Sequence, residues 1–355
     1  MGKKKIVIIG AGPGGYVAAL RAEALGGDVT IIEKEHLGGV CLNWGCIPSK
    51  IMKTSADIYL KLKQADEFGI KIDGKISPDM AAIMLRKEKI CEIQRKGIAS
   101  LLQRANITVE SGRGVIKGSA IAAVITKDEY GNDIEKEIAY QSLIIATGSV
   151  PLNIPAIPFD GEVILSSNDL LSLNEIPESI VIVGGGVIGC EFACILSALG
   201  SKVTIVEAMS NLLPLSAVDI SCAATLQREM KKRGIKIITD KVVEKAEQIE
   251  TTDNVNSRKK VVLTLGNSPF TDKLKISNAS INKKQAENQQ PQRIEAEKAA
   301  VCIGRSPLSS NLGLENIGLK TSEKGWIEVN ELMETSVKGV YAIGDILGPN
   351  HIMLA

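Results

Sequence analysis

The feature that most restricts this chain is a repeat within its own sequence. Residues 6–33 and 180–207 align without a gap at an offset of 174, and 14 of the 28 positions are identical. Solenoid repeats recur every 20–50 residues or so, far closer than this. One folding unit therefore occurs twice in a chain of 355 residues, long enough for two or three domains. Each copy opens on a short apolar run, KIVIIG or SIVIVG, of the kind that forms a fully buried parallel strand. Glycines follow at one spacing: Gly10, Gly12 and Gly15, then Gly184, Gly186 and Gly189. An apolar helical stretch comes next, and then a second strand that closes on an acid, Glu33 or Glu207, each 23 residues past the first glycine.

These spacings have a physical reading. The first glycine permits a tight turn, the second lets a pyrophosphate approach the backbone, and the third lets helix pack on strand. The phosphates then meet the free N–H groups of a helix N-terminus, and the terminal carboxylate accepts hydrogen bonds from ribose hydroxyls. Glu207, followed by Ala208 and Met209, would repel a 2′-phosphate, which favours NAD over NADP at the second site. The expected fold is α/β, with two Rossmann-like, doubly wound, three-layer dinucleotide-binding domains. Two dinucleotides on one chain suggest hydride passed between FAD and a nicotinamide.

Between the first unit and a long helical region lies LGGVCLNWGCIPSK, residues 37–50, with Cys41 and Cys46 five apart. A structural zinc takes four ligands, commonly from close pairs, and no second pair follows. A dithiol beside a flavin has a use: it passes two electrons to an external disulfide by exchange. The competing reading is two unrelated core thiols. Cys190 and Cys194 read as small apolar fillers, and Cys91, Cys222 and Cys302 as isolated and inert. An odd count of seven cysteines argues for a reducing compartment, and the apolar run after the N-terminal lysines is too short for a secretion signal; a cytoplasmic location is expected. A net charge of +1 and 3% aromatic residues speak against nucleic acid as a partner. Residues 179–200 are the one stretch of membrane-span length, but three consecutive glycines and Glu191 make it strand, turn and helix, so no membrane is expected. Two histidines, His36 and His351, exclude a His-rich metal centre; no metal is expected.

The segments GAGPGGYVAALRA, GGVCLNWGCIPSK, ATGSVP, GGGVIGCEFA, CIGRSP, LGLENIGL and GVYAIGDILG run from end to end of the chain. In that order they resemble the flavin-dependent pyridine nucleotide–disulfide oxidoreductases, and CLNWGCIPSK resembles their lipoamide branch. The resemblance implies FAD and NAD as cofactors and a redox disulfide between Cys41, the interchange thiol, and Cys46, the thiol beside the flavin. Lys50 is implied near the flavin, paired with Glu191. It further implies Thr147, Gly148 and Ser149 at the crossing between domains and against FAD. Gly114 would meet the adenine end and Asp345 the ribityl chain. Met353, Leu354 and Ala355 would begin a helix facing the flavin. Val242 and Gly304, with Glu191, would line the NAD site. The implied partner is the lipoyl group of a 2-oxo acid dehydrogenase or glycine cleavage complex, and the implied assembly a homodimer.

Organisation follows. Residues 1–148 are expected to form the first part of a discontinuous FAD domain, with helices near 46–68 and 78–104. Residues 149–308 are expected to form the NAD domain, with a polar loop near 276–293, and residues 309–355 the rest of the FAD domain. Members of the family continue into a dimerisation domain that supplies a His–Glu acid–base pair to the other subunit. The chain ends before it, so impaired turnover is expected. Three functions stay open: an NAD-linked oxidase of dihydrolipoyl groups, a reductase of another disulfide or oxidant (an NADH diaphorase), and a nucleotide-binding flavoprotein without physiological turnover.

Overall fold

The computed structural model describes residues 2–252, 257–270 and 292–348. The chain divides into two compact units: Met1–Pro48 with Lys87–Val150 and Arg305–Ala355, and Ser49–Arg86 with Pro151–Gly304. The helices are α1 (Pro13–Ala24), α2 (Gly39–Asn43), α3 (Cys46–Lys63), α4 (Met80–Arg104), α5 (Val187–Leu199) and α6 (Ile220–Lys232).

In the first unit a parallel sheet of five strands runs Val340–Ala342, Ser142–Ile145, Lys5–Ile9, Asp28–Glu33, Thr108–Ser111. Its central strand is the apolar run of the first repeat. Successive side chains of a strand point to opposite faces, and this strand divides accordingly. Val7 and Ile9 join one core, with Ile116, Ala122 and Val124 of an antiparallel three-stranded sheet. Ile8 joins the other, with Ala19 of α1 and Leu102 of α4. Burial on both faces is why the run is continuously apolar.

The second unit repeats the scheme. Its parallel sheet runs Lys236–Ile238, Lys202–Val206, Ser179–Val183, Lys298–Val301, Ile164–Ser166. Ile180 and Ile182 face α5, with Met52 and Ala56 of α3 in the same core. Val181 and Val183 face an antiparallel sheet made by Lys241–Thr252, Ser257–Asn267 and Gln292–Ala296. In both sheets the glycine-rich strand sits at the centre and chain order reverses beside it. Open α/β sheets bind ligands at such a switch point, outside the carboxyl ends of the strands.

Residues 179–200 form strand, turn and helix, and no helix among the described residues is long and apolar enough to cross a membrane. Helix α3 stops at Lys63, followed by a short 3-10 turn at Ala65–Phe68, and α4 begins at Met80. Residues 49–86, placed by the sequence in the first segment of the FAD domain, pack with the second unit instead. The apolar face of α3 explains this: Met52 and Ala56 belong to the core that holds Phe192 and Leu196, not to either core of the first sheet. Of the expected polar loop, residues 276–291 lie outside the described residues, while Gln292 and Arg293 begin a strand.

Candidate functional site

The two glycine-rich turns are built alike. Gly10 has φ +103°, and a Cβ there would lie 2.3 Å from the Ala146 carbonyl oxygen; Gly184 has φ +108°, with its Cβ position 2.4 Å from the Cys302 carbonyl oxygen. At the third position, Gly15 and Gly189 leave 1.9 and 2.0 Å from a hypothetical Cβ to the carbonyl oxygens of Gly10 and Gly184. Chain geometry therefore demands glycine at the first and third positions. It does not demand it at the second. Gly12 and Gly186 are extended, with φ −67° and −72°. The Cβ position of Gly186 meets nothing within 4 Å, and that of Gly12 meets only Gly39 Cα at 3.8 Å. The space at Gly186 is open, and that at Gly12 is bordered only by Gly39. Both residues are helix N-caps without a side-chain cap, so the first-turn N–H groups of α1 (Pro13 has none) and of α5 lack intrahelical partners and are suited to an anion. The turns fit a pyrophosphate.

The acids are fixed in matching ways. Glu33 accepts hydrogen bonds from the amides of Ala11 at 2.7 Å and Glu35 at 2.9 Å. Glu207, buried at 6% exposure, accepts from the amides of Gly185 and, at 2.8 Å, Met209. Donor for donor, the bonds are offset by the same 174 residues as the repeat. Each carboxylate spans from the second strand to its turn, which orients its remaining lone pairs.

The cysteine segment packs directly on the first turn. Gly38 donates to the Ala11 carbonyl at 2.8 Å, and a Cβ on Gly39, whose φ is +56°, would lie 2.5 Å from Gly12 Cα. Cys41 follows two residues later within α2, and Cys46 opens α3; both are half-buried. The other cysteines are mostly inert by burial, which pushes the thiols of Cys190 and Cys302 up to about 12 and those of Cys91 and Cys194 upward. Such thiols hold no thiolate at neutral pH. Cys222, also read as inert, differs from these in being exposed on α6.

Lys50 meets Glu191 as expected, Nζ lying 2.9 Å from Oε1 and 3.2 Å from Oε2. Ser49, which sequence reasoning passed over, donates to the same carboxylate at 3.3 Å. Thr147 donates to the Leu308 carbonyl at 2.8 Å, and Gly148, with φ +74°, accepts from the Leu308 amide. Ser149 is fully buried and donates to Asp345 Oδ2 at 2.8 Å. Arg305 completes the group: Nε donates to Ser149 Oγ and Nη2 to the Ser149 carbonyl, both at 2.7 Å. Its guanidinium lies 3.9 Å from Asp345. No motif logic pointed to Arg305, although it stands within CIGRSP. Gly114 has a packing constraint beside the role the resemblance implies for it. It is buried with its Cβ position 2.7 Å from Ile9 Cγ2, so the packing of two strands is enough to require glycine there. Val242 follows Lys241, whose amide donates to the Glu207 carbonyl, and Gly304, with φ +140°, accepts from the Leu152 amide. Met353, Leu354, Ala355 and His351 lie outside the described residues.

Two glycine-rich turns, each with its own fixed acid, and a cysteine pair packed on the first define a flavoprotein-type disulfide oxidoreductase scaffold. Residues 4–355 match the family described as pyridine nucleotide-disulphide oxidoreductase, and the chain belongs to it. Over 344 residues it is 37% identical to a dihydrolipoyl dehydrogenase of Chlorobaculum parvum, and over 348 residues 36% identical to one of Bacillus subtilis. Each match takes in 97% of this chain but 66% and 67% of those proteins, so the chain spans about two thirds of their length. Among solved structures, LpdA of Mycobacterium tuberculosis is similar at TM-score 0.77 and 27% identity, covering 97% of this chain and 68% of that one. The flavoprotein disulfide reductase RclA of Escherichia coli, as a Cu(II) complex, is similar at TM-score 0.75 and 25% identity, covering 98% and 67%.

Proposed function

We propose that the chain carries the two nucleotide sites and the dithiol of an NAD-linked flavoprotein that oxidises dihydrolipoyl groups. The observation that carries this reading is the contact of Gly39 on Gly12, which seats the Cys41 helix against the first phosphate turn. Gly10, Gly12, Gly15 and Glu33 would hold FAD there, with Asp345 and Thr147–Ser149, and FAD when bound supplies the two-electron link between dithiol and nicotinamide. Gly184, Gly186, Gly189 and Glu207 would hold NAD, with Val242 and Gly304 nearby. Buried Glu207 has no cation in the two residues after it to receive a 2′-phosphate.

The dithiol chemistry falls to Cys41 and Cys46. A substrate thiolate attacks Sγ of Cys41 in the Cys41–Cys46 disulfide and releases Cys46 as thiolate. The second substrate thiolate attacks the sulfur bound to Cys41, releasing Cys41 as thiolate and the lipoyl disulfide. Two electrons have then moved from substrate to protein, and NAD+ takes them as hydride in the overall reaction, with two protons lost by the substrate and one retained in NADH. Lys50, held by Glu191 and Ser49, keeps a cation one helical turn after Cys46. The lipoyl group of a 2-oxo acid dehydrogenase or glycine cleavage complex is the proposed partner, in the cytoplasm.

The 36–37% identity to dihydrolipoyl dehydrogenases over 97% of the chain favours this reading. Likeness to RclA supports the alternative, an NADH-driven reductase of another disulfide or oxidant. The test is flavin reduction by NADH against NADPH in the FAD-loaded chain, with tryptic mapping of its disulfides. NADH should be strongly preferred, Glu207→Ala should narrow the preference, and Cys41 should pair with Cys46. Equal use of NADPH, or Cys41 paired elsewhere, would refute the assignment.

A further inference from the structure

The segment between the two cysteines contains a side chain that the proposed chemistry leaves unused. Asn43 is the last residue of α2, and only 7% of it is exposed. A primary amide has two N–H donors and an acceptor oxygen, and here all are engaged. Nδ2 donates to the carbonyls of Leu37 at 3.1 Å and Gly39 at 2.9 Å, and Oδ1 accepts from Arg95 Nη1 at 3.1 Å. Leu37 and Gly39 bracket Gly38, whose left-handed φ of +94° begins α2. Arg95 reaches Asn43 from α4, and its Nη2 pairs with Glu88 on the same helix. The hydrogen bond from Arg95 holds the Glu88 carboxyl below the usual range, as expected of a guanidinium fixed in place.

Helix α2 has five residues, little more than one turn. A turn that short has no stability of its own, because nucleation costs more than its few hydrogen bonds return. Something outside its backbone must hold it, and Cys41 is its central residue. Asn43 ties the turn to the strand-to-helix corner before it, and Arg95 ties Asn43 to α4.

We infer that Asn43 and Arg95 are positioning residues for the Cys41–Cys46 dithiol, fixing α2 so that Cys41 is held for pairing with Cys46. The inference rests on the redox-pair reading above. Its consequence is thermodynamic. A disulfide between fixed thiols forms at high effective concentration, and loosening α2 lowers that concentration. The disulfide then becomes easier to reduce.

The experiment is equilibration of the full chain with glutathione buffers. In them the dithiol loses two electrons and two protons to one glutathione disulfide, giving the protein disulfide and two glutathione thiols. Alkylation and peptide mapping then read Cys41 and Cys46 directly. Asn43→Asp keeps the size and the acceptor for Arg95 but removes both donors. It should require a buffer about tenfold more oxidising for half-formation, which for a two-electron couple is about 30 mV. Arg95→Met, which leaves the two carbonyl bonds in place, should shift the midpoint about threefold in the same direction, and Arg95→Lys less, since it retains a charged donor. A purely structural role would lower the melting temperature of these variants without moving this equilibrium. Should Asn43→Asp not fold, the Arg95 pair decides. If the parent forms the disulfide and the variants titrate at the parent ratio, the inference is wrong and the proposed function stands. If the parent forms no Cys41–Cys46 disulfide, both fall.

Discussion

Replacing Arg305 with methionine tests how the Asp345 corner is held. The Arg305 side chain is 8% exposed, and its guanidinium makes two hydrogen bonds to Ser149 and lies 3.9 Å from the Asp345 carboxylate. Burial lowers its pKa and the charge of Asp345 opposes that, so this is a desolvated cation with one nearby anion. Methionine fills much of the same volume and removes the charge. Hydrogen bonds to a charged group contribute about 1.5–3 kcal/mol each, and breaking a buried pair costs about 3–5 kcal/mol because the remaining charge is stranded. Asp345 is 21% exposed, so water can reach it. The lower end then applies, and a loss of about 3 kcal/mol is expected in the first unit. Urea denaturation of the parent, Arg305→Met, Asp345→Asn and the double variant forms a complete cycle. The double variant should cost at least 1 kcal/mol or so less than the sum of the single ones, since a neutral amide in place of the Asp345 carboxylate leaves no charge stranded. A single-variant cost under about 0.5 kcal/mol, or strict additivity, would show that the array is not an energetic unit.

Three further outcomes are expected. Gly186→Ala, at an extended position with open space at its Cβ, should leave stability within about 0.5 kcal/mol of the parent yet weaken NADH binding, measured by titration. Gly189→Ala, whose methyl would meet the Gly184 carbonyl oxygen, should lower the melting temperature; equal stability of the two variants would contradict the reading of the turn. Residues 1–355 assayed alone should transfer electrons from NADH to a dye but oxidise dihydrolipoamide slowly: the chain spans about two thirds of the length of the dihydrolipoyl dehydrogenases it matches, the family resemblance implies an acid–base pair in the remaining third, and such a base contributes about 10²–10⁴ in rate. Dihydrolipoamide turnover matching that of a full-length relative would refute this.

Much of the scaffold was legible in the residue order because its determinants are local. A glycine needed for a positive φ, or for a helix to touch its own preceding strand, sits at a fixed spacing from that strand. Gly10, Gly15, Gly184 and Gly189 therefore declared both turns, and Glu33 and Glu207 closed them on schedule. Lys50 with Glu191 was legible for a different reason: a carboxylate in an apolar helix needs a partner, and the family resemblance named one. What the order of residues left undecided is which of many compatible groups meet across long separations. Arg305 reaches Ser149 over 156 positions, Ser149 reaches Asp345 over 196, and Arg95 reaches Asn43 over 52. These partnerships are selected by strand order and by the face each helix buries, not by spacing. Residues 49–86 show the same limit, since their helical pattern was plain but the core receiving Met52 and Ala56 was set only by packing. Gly114 shows it in a single residue: a glycine in a strand can serve a ligand or a neighbour, and only the Ile9 side chain beside it says which constraint the fold itself imposes.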